Sequence, residues 1–137
     1  MNLFGLFRKS PLPPPVPNVR YFLADLQTIA PAVGLGDYAF PNEVGGPRGW
    51  VQFIIESDRR LTIHRLWTLD PGKGHGSTML RAVCSLADKH AVELSLKPLP
   101  FGKKPYYLRR QSLAEWYARH GFAWTQKKMV RVPASAI

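Results

Sequence analysis

Residues 61–90 run without a break through an apolar, β-branched stretch, a turn holding Gly72, Gly74 and Gly76, and an apolar stripe at helical spacing. The stripe is Met79, Leu80, Val83, Leu86 and Ala87, with Arg81, Asp88 and Lys89 outside it. Strand, glycine turn and helix in that order constrain the fold strongly, because the helix must lie back along the sheet before the chain can re-enter it. The re-entry is also legible. Val92, Leu94 and Leu96 alternate with Glu93, Ser95 and Lys97 until Pro98 and Pro100 end the run, so residues 61–97 read as a βαβ-like unit.

The rest of the chain fits around this unit. Asn18 can cap a helix whose apolar positions Val19, Phe22, Leu23, Leu26, Ile29 and Ala30 repeat until Pro31. Residues 32–49 are rich in Gly, Pro and Asn and read as one long loop. Residues 50–57 and 61–69, β-branched and aromatic, flank Asp58, Arg59 and Arg60 as an antiparallel hairpin. Residues 101–111 form a basic loop. Ser112 and Glu115 then have capping-box spacing for a helix through His120, with Gly121 placed for a left-handed stop. Residues 122–125 and 129–132 read as final strands around a turn at 126–128. The expected order is αββαβαββ in one α/β domain with a mixed sheet, spanning 18–137.

Residues 1–17 read as an arm and a spacer. An apolar start is followed by Arg8 and Lys9, and Pro11, Pro13, Pro14, Pro15 and Pro17 favour an extended polyproline segment. The arm is too short for a signal peptide's apolar region, which leaves a packing arm or a weak membrane-surface contact. No apolar run approaches the roughly 18 residues of a membrane span, so no stable membrane insertion is expected. A single cysteine, Cys84, excludes a disulfide framework and a cysteine-based zinc finger, and it fits a reducing, cytoplasmic setting. His75, His90 and His120 lack metal-ligand spacing, and no metal is expected.

Three glycines between a strand and a helix let a ligand approach backbone N–H groups at a helix start, an arrangement suited to phosphate. The spacing is neither a Walker loop nor a dinucleotide fingerprint. On the loop alone, a ligand-free tight turn is as good a reading. The residues from Pro71 to Gly76 resemble the cofactor loop of the GCN5-related N-acetyltransferases, Arg/Gln-x-x-Gly-x-Gly/Ala, with Pro71 standing where the family has Arg or Gln. The run from Leu113 through Trp116 and Tyr117 to Gly121 and Phe122 resembles that family's second signature, an apolar helix ending in a form like Phe-Tyr-x-x-x-Gly-Phe. The two lie in the family's order with a strand between, and the resemblance covers roughly residues 50–132.

The resemblance implies an acetyl-CoA-dependent N-acetyltransferase in which an acceptor amine attacks the thioester directly. The backbone from Gly72 through Lys73, Gly74, His75 and Gly76 to Ser77 would hold the pyrophosphate, with Lys73 assisting. Leu66 and Thr68 would pair with the pantetheine arm like an added strand. Tyr117 takes the position from which a phenol can protonate the departing thiolate. For the base, Glu56 and His64 are the candidates, each with an ordinary structural alternative. Two-residue alternation would put His64 on one face with Thr62, Leu66 and Thr68.

The net charge is +10, and from Leu94 onward nine cations face one acid, Glu115. Tyr106 and Tyr107 lie among them. This basic C-terminal face admits three readings: contacts to the 3′-phosphate of CoA, an acidic protein acceptor, or nucleic acid bound by a non-catalytic module or by an acetyltransferase acting on it. Acceptor specificity would lie in residues 32–49 and 101–111. A homodimer is one arrangement that sheet-edge pairing allows.

Overall fold

The computed structural model describes residues 18–100 and 109–134 of the 137. The expected arm and spacer at 1–17 lie outside the described residues, as do Lys103, Lys104, Tyr106 and Tyr107 of the basic loop. The elements are α1 (Val19–Gln27), β1 (Ala32–Gly34), β2 (Asp37–Pro41), β3 (Pro47–Ile55), β4 (Arg60–Thr68), α2 (His75–Lys89), β5 (Glu93–Leu96), α3 (Arg110–Ala118), β6 (Ala123–Thr125) and β7 (Lys128–Arg131). They build one mixed seven-stranded sheet in the order β1-β2-β3-β4-β5-β7-β6. Only β4 and β5 pair in parallel, as the strand, helix, strand crossover requires.

The core lies on one face of this sheet. Phe22 of α1 meets Phe53 of β3 edge-on at 5.7 Å, and Met79, Leu80, Val83, Cys84 and Ala87 of α2 are buried against Val51, Leu61, Ile63 and Leu94. Ala114 and Tyr117 of α3 join the same cluster. The opposite face carries Trp50 and Trp67, stacked at 5.4 Å as cross-strand partners.

Several local expectations are corrected. The expected loop at 32–49 contains β1, β2 and the start of β3. Tyr38 and Phe40 are buried while Asp37 and Ala39 are half-buried, a two-residue alternation that the surrounding Gly and Pro masked. Asn18 does cap α1, its side chain accepting from the Tyr21 N–H at 3.0 Å. However, the Thr28 and Ile29 N–H groups bond three residues back, to Asp25 and Leu26, and this tighter turn leaves Ile29 exposed rather than in the core. Ser112 is not a cap. The Leu113 N–H bonds to the Arg109 carbonyl, so α3 begins earlier and Ser112 falls inside its first turn. Gly121 is left-handed as expected, at φ 95°.

The C-terminal strand is clipped to α2. Arg131 donates Nη1 and Nη2 to the two carboxylate oxygens of Asp88 at 2.8 and 3.0 Å, and its Nε to the His120 carbonyl at 2.9 Å. The Ala134 N–H adds a fourth bond, to Asp88 at 2.8 Å. The Arg131 hydrogen bonds hold the Asp88 carboxyl below the usual carboxylate range. A carboxyl lowered by folding stabilises the protein above its unfolded pKa, near 4, and that contribution disappears as pH falls through the folded value. Arg131→Ala is therefore expected to lower urea stability by about 2 kcal/mol at pH 7, with the difference shrinking below pH 4.

Candidate functional site

Beyond β4 the chain turns through Gly72 and Gly74, whose φ values of 87° and 82° lie in the left-handed region that favours glycine. Gly74 is the N-cap of α2 and offers no side-chain acceptor, and the first turn has no acidic residue. The N–H groups of His75, Gly76 and Ser77 therefore point outward at the positive end of a helix of 15 residues. Among the described residues, the buried Nδ1 of His75 also lacks a partner. A Cβ built on Gly74 meets nothing within 4 Å, so the space above the turn is open.

A fork opens below this turn. β4 and β5 pair only at Arg60 with Glu93, Leu61 with Leu94 and Thr62 with Ser95. Among the described residues, β4 then continues to Thr68 with no β5 partner. The Leu69 N–H donates to the Arg48 carbonyl on the β3 side. By the alternation of a strand, Thr68 and Leu66 turn their N–H and C=O groups the other way, into the fork.

A β-bulge corrects the expected placement of His64. Gln52 pairs with Arg65 but Phe53 with Ile63, which leaves His64 as an extra residue in β4. Thr62 and His64 stay on the face opposite the helices. Leu66 and Thr68, paired with Val51 and Gly49, lie on the helix face with Leu61 and Ile63. His64 therefore does not share a face with Leu66 and Thr68, because the alternation slips at the bulge. The apolar spacing itself carried the signal: Leu61 to Ile63 is a step of two, and Ile63 to Leu66 a step of three.

Glu56, the other candidate base, is not beside the glycine turn. It sits at the hairpin end of the sheet, where its Oε2 accepts from the Thr62 Oγ at 2.8 Å. From Thr62 to Thr68 the strand climbs about 20 Å.

α3 brings aromatic side chains to the turn. Trp116 Nε1–H donates to Ser77 Oγ at 2.9 Å, and its ring lies against Gly76. Tyr117 is buried between Trp116 and Phe122, with ring centroids at 4.8 and 5.4 Å. Burial pushes its phenol well above the usual tyrosine range, so it holds its proton at neutral pH. Burial likewise raises the Cys84 thiol to about 11, which leaves it protonated and a poor nucleophile.

A groove of about 760 Å³ runs between α2 and α3, lined by Ser77, Arg81, Ser85, Trp116, Arg119 and His120 among others. Desolvation, followed by the charges of Arg81, Arg119 and Arg131, lowers the His120 pKa. Sequence reasoning missed Arg81 and Ser85, although Ser77, Arg81 and Ser85 follow one another at steps of four on one helix and this was readable. Arg131, counted with the basic face, is engaged by Asp88. Among the described residues no group of three His, Cys, Asp or Glu could hold a metal ion, and no helix is long and apolar enough to cross a membrane.

No protein-family model matches the chain, and no curated protein does. Solved structures do. Ard1 from Thermoplasma volcanium is 16% identical with a TM-score of 0.54, the match covering 81% of this chain and 77% of that one. A GNAT family acetyltransferase from Elizabethkingia anophelis, with acetyl-CoA bound, is 11% identical with a TM-score of 0.52, over 91% and 93%. The anti-CRISPR protein AcrVA5 is 17% identical with a TM-score of 0.51, over 70% and 98%. At these identities the likeness is one of fold: the chain has the α/β fold of the GCN5-related N-acetyltransferases, built on a strand, glycine turn and helix.

Proposed function

We propose that this chain is an acetyl-CoA-dependent N-acetyltransferase. The observation that carries the reading is the junction of an uncapped glycine turn with the fork between β4 and β5, one offering N–H groups to phosphate and the other, at Leu66 and Thr68, a strand edge that no described strand pairs. The pyrophosphate would rest on the backbone of residues 72–77. Pro71 supplies neither cation nor amide there, so Lys73 and the backbone carry that contact. The pantetheine arm would add to β4 through Leu66 and Thr68, and the nucleotide end would reach Arg81 and Arg119 in the groove.

The acceptor amine attacks the thioester carbon as the C–S bond breaks, and Tyr117 protonates the thiolate. His64 and Thr62 lie on the face opposite the helices, and the acceptor would approach there, past Trp50 and Trp67. Acceptor class is set by that face together with residues 32–49 and 101–111.

Calorimetric titration with acetyl-CoA and with CoA tests the reading, using the wild type and Gly74→Glu, which sets an anion into the open space above the turn. Micromolar binding is expected for the wild type, with loss in the variant. At about a hundredfold excess over Kd, acetyl-CoA should raise wild-type stability by about 2.7 kcal/mol. No heat and no thermal shift with the wild type would overturn the assignment.

A further inference from the structure

Ser95 places a buried hydroxyl in the middle of β5, 5% exposed. Its Oγ lies 3.1 Å from the Thr62 Oγ, and the Thr62 hydroxyl donates to Glu56 Oε2 at 2.8 Å. The three side chains thus form a chain from the sheet interior to the exposed carboxylate.

Its direction follows from donor inventory. An ionised carboxylate only accepts, and a hydroxyl has a single hydrogen. Thr62 gives its hydrogen to Glu56, so Ser95 must donate to Thr62, which leaves the remaining Ser95 lone pairs free to accept.

Position supplies the second argument. Thr62 and Ser95 are the last parallel pair, so their hydroxyls mark the closed end of the fork. An arm laid along β4 from the glycine turn can go no deeper than this vertex, and its thioester would end beside it.

We propose that Ser95, Thr62 and Glu56 form a hydroxyl relay that carries the proton of the attacking amine out to solvent. The inference rests on the acetyltransferase reading and extends it. When the amine nitrogen bonds to the thioester carbon, its proton passes to Ser95 Oγ, the Ser95 proton to Thr62 and the Thr62 proton to Glu56. The C–S electron pair leaves with sulfur, which takes the Tyr117 proton. Water returns a proton to Tyr117 and removes one from Glu56. The pairing gives Glu56 a role despite its distance from the glycine turn, since it acts at the other end of the fork.

Thiol release from acetyl-CoA, with methylamine as a small acceptor that needs no shaped pocket, tests this in the wild type, Ser95→Ala, Thr62→Val, Glu56→Gln and Thr62→Ser. The three relay-breaking variants are expected to lose about a hundredfold in kcat at unchanged acetyl-CoA affinity and melting temperature. Thr62→Ser, which keeps the hydroxyl, is expected to retain the rate. A solvent deuterium effect on kcat should be present in the wild type and reduced in Thr62→Val.

Wild-type rates in the broken variants would overturn the relay alone, as would losses traced to weaker cofactor binding or melting. So would a wild type that binds acetyl-CoA but releases no thiol above buffer. A wild type that does not bind acetyl-CoA removes the acetyltransferase reading, and the relay with it.

Discussion

Tyr117→Phe is expected to lower thiol release from acetyl-CoA by about a hundredfold while leaving the affinity for acetyl-CoA unchanged. The substitution removes one oxygen and keeps the ring that packs against Trp116 and Phe122. The core should survive it, with stability within about 1 kcal/mol of the wild type. The loss would fall on kcat, because in the proposed reaction the phenol acts only as the C–S bond breaks. Burial raises the Tyr117 pKa, and an acid with a raised pKa stays protonated further into the alkaline range. The wild-type rate should therefore show no loss between pH 7 and pH 9 from deprotonation of this group. Thiol release followed across that range in both proteins checks the point, and an unchanged rate in the variant would assign the proton to solvent.

The sequence carried the glycine turn, the helix after it and the parallel return, because each rests on a local rule: residues tolerant of positive φ, a 3.6-residue stripe and a two-residue alternation. What it hid came from tertiary pairing. The bulge at His64 lies just past the last β4–β5 pair, on a stretch where β4 is still paired with β3, and single-strand alternation does not register such a slip except in the uneven step from Ile63 to Leu66. β2 was obscured for a different reason. Tyr38 and Phe40 make only a five-residue pattern, and its stability comes from pairing with β3 rather than from local propensity.

The candidate site shows the same division. The turn and Tyr117 were visible as motifs, one covering backbone donors and the other a buried phenol. Ser95 and Thr62 were not, because a Ser and a Thr in strands are unremarkable until the parallel register sets one hydroxyl 3.1 Å from the other. Glu56 was chosen as a carboxylate near a strand end. Its place at the closed end of the fork depends on the β3–β4 hairpin, which the sequence located without fixing its register. Arg131 looked like one more surface cation, and only the fold brings it to Asp88, 43 residues away.

Gly49→Ala is expected to destabilise the protein by about 3 kcal/mol, as much as removing a large core side chain. Gly49 is buried on β3 opposite Thr68, and a Cβ there would stand 2.7 Å from the Trp67 carbonyl and 2.5 Å from Met79 Sδ. Methionine is flexible and can retreat, but the carbonyl belongs to the β3–β4 ladder and can move only if β4 moves. That shift would act on Leu66 and Thr68, which face the fork, so acetyl-CoA binding should weaken even in molecules that remain folded. A double-mutant cycle with Met79→Ala separates the two contacts. If the sulfur dominates, the double variant should recover much of the loss from Gly49→Ala. If the carbonyl dominates, the penalties should add, and urea denaturation of the four proteins distinguishes these outcomes. Stability unchanged in Gly49→Ala would mean that the β3–β4 edge yields freely, and the fork would then be too soft to position a thioester.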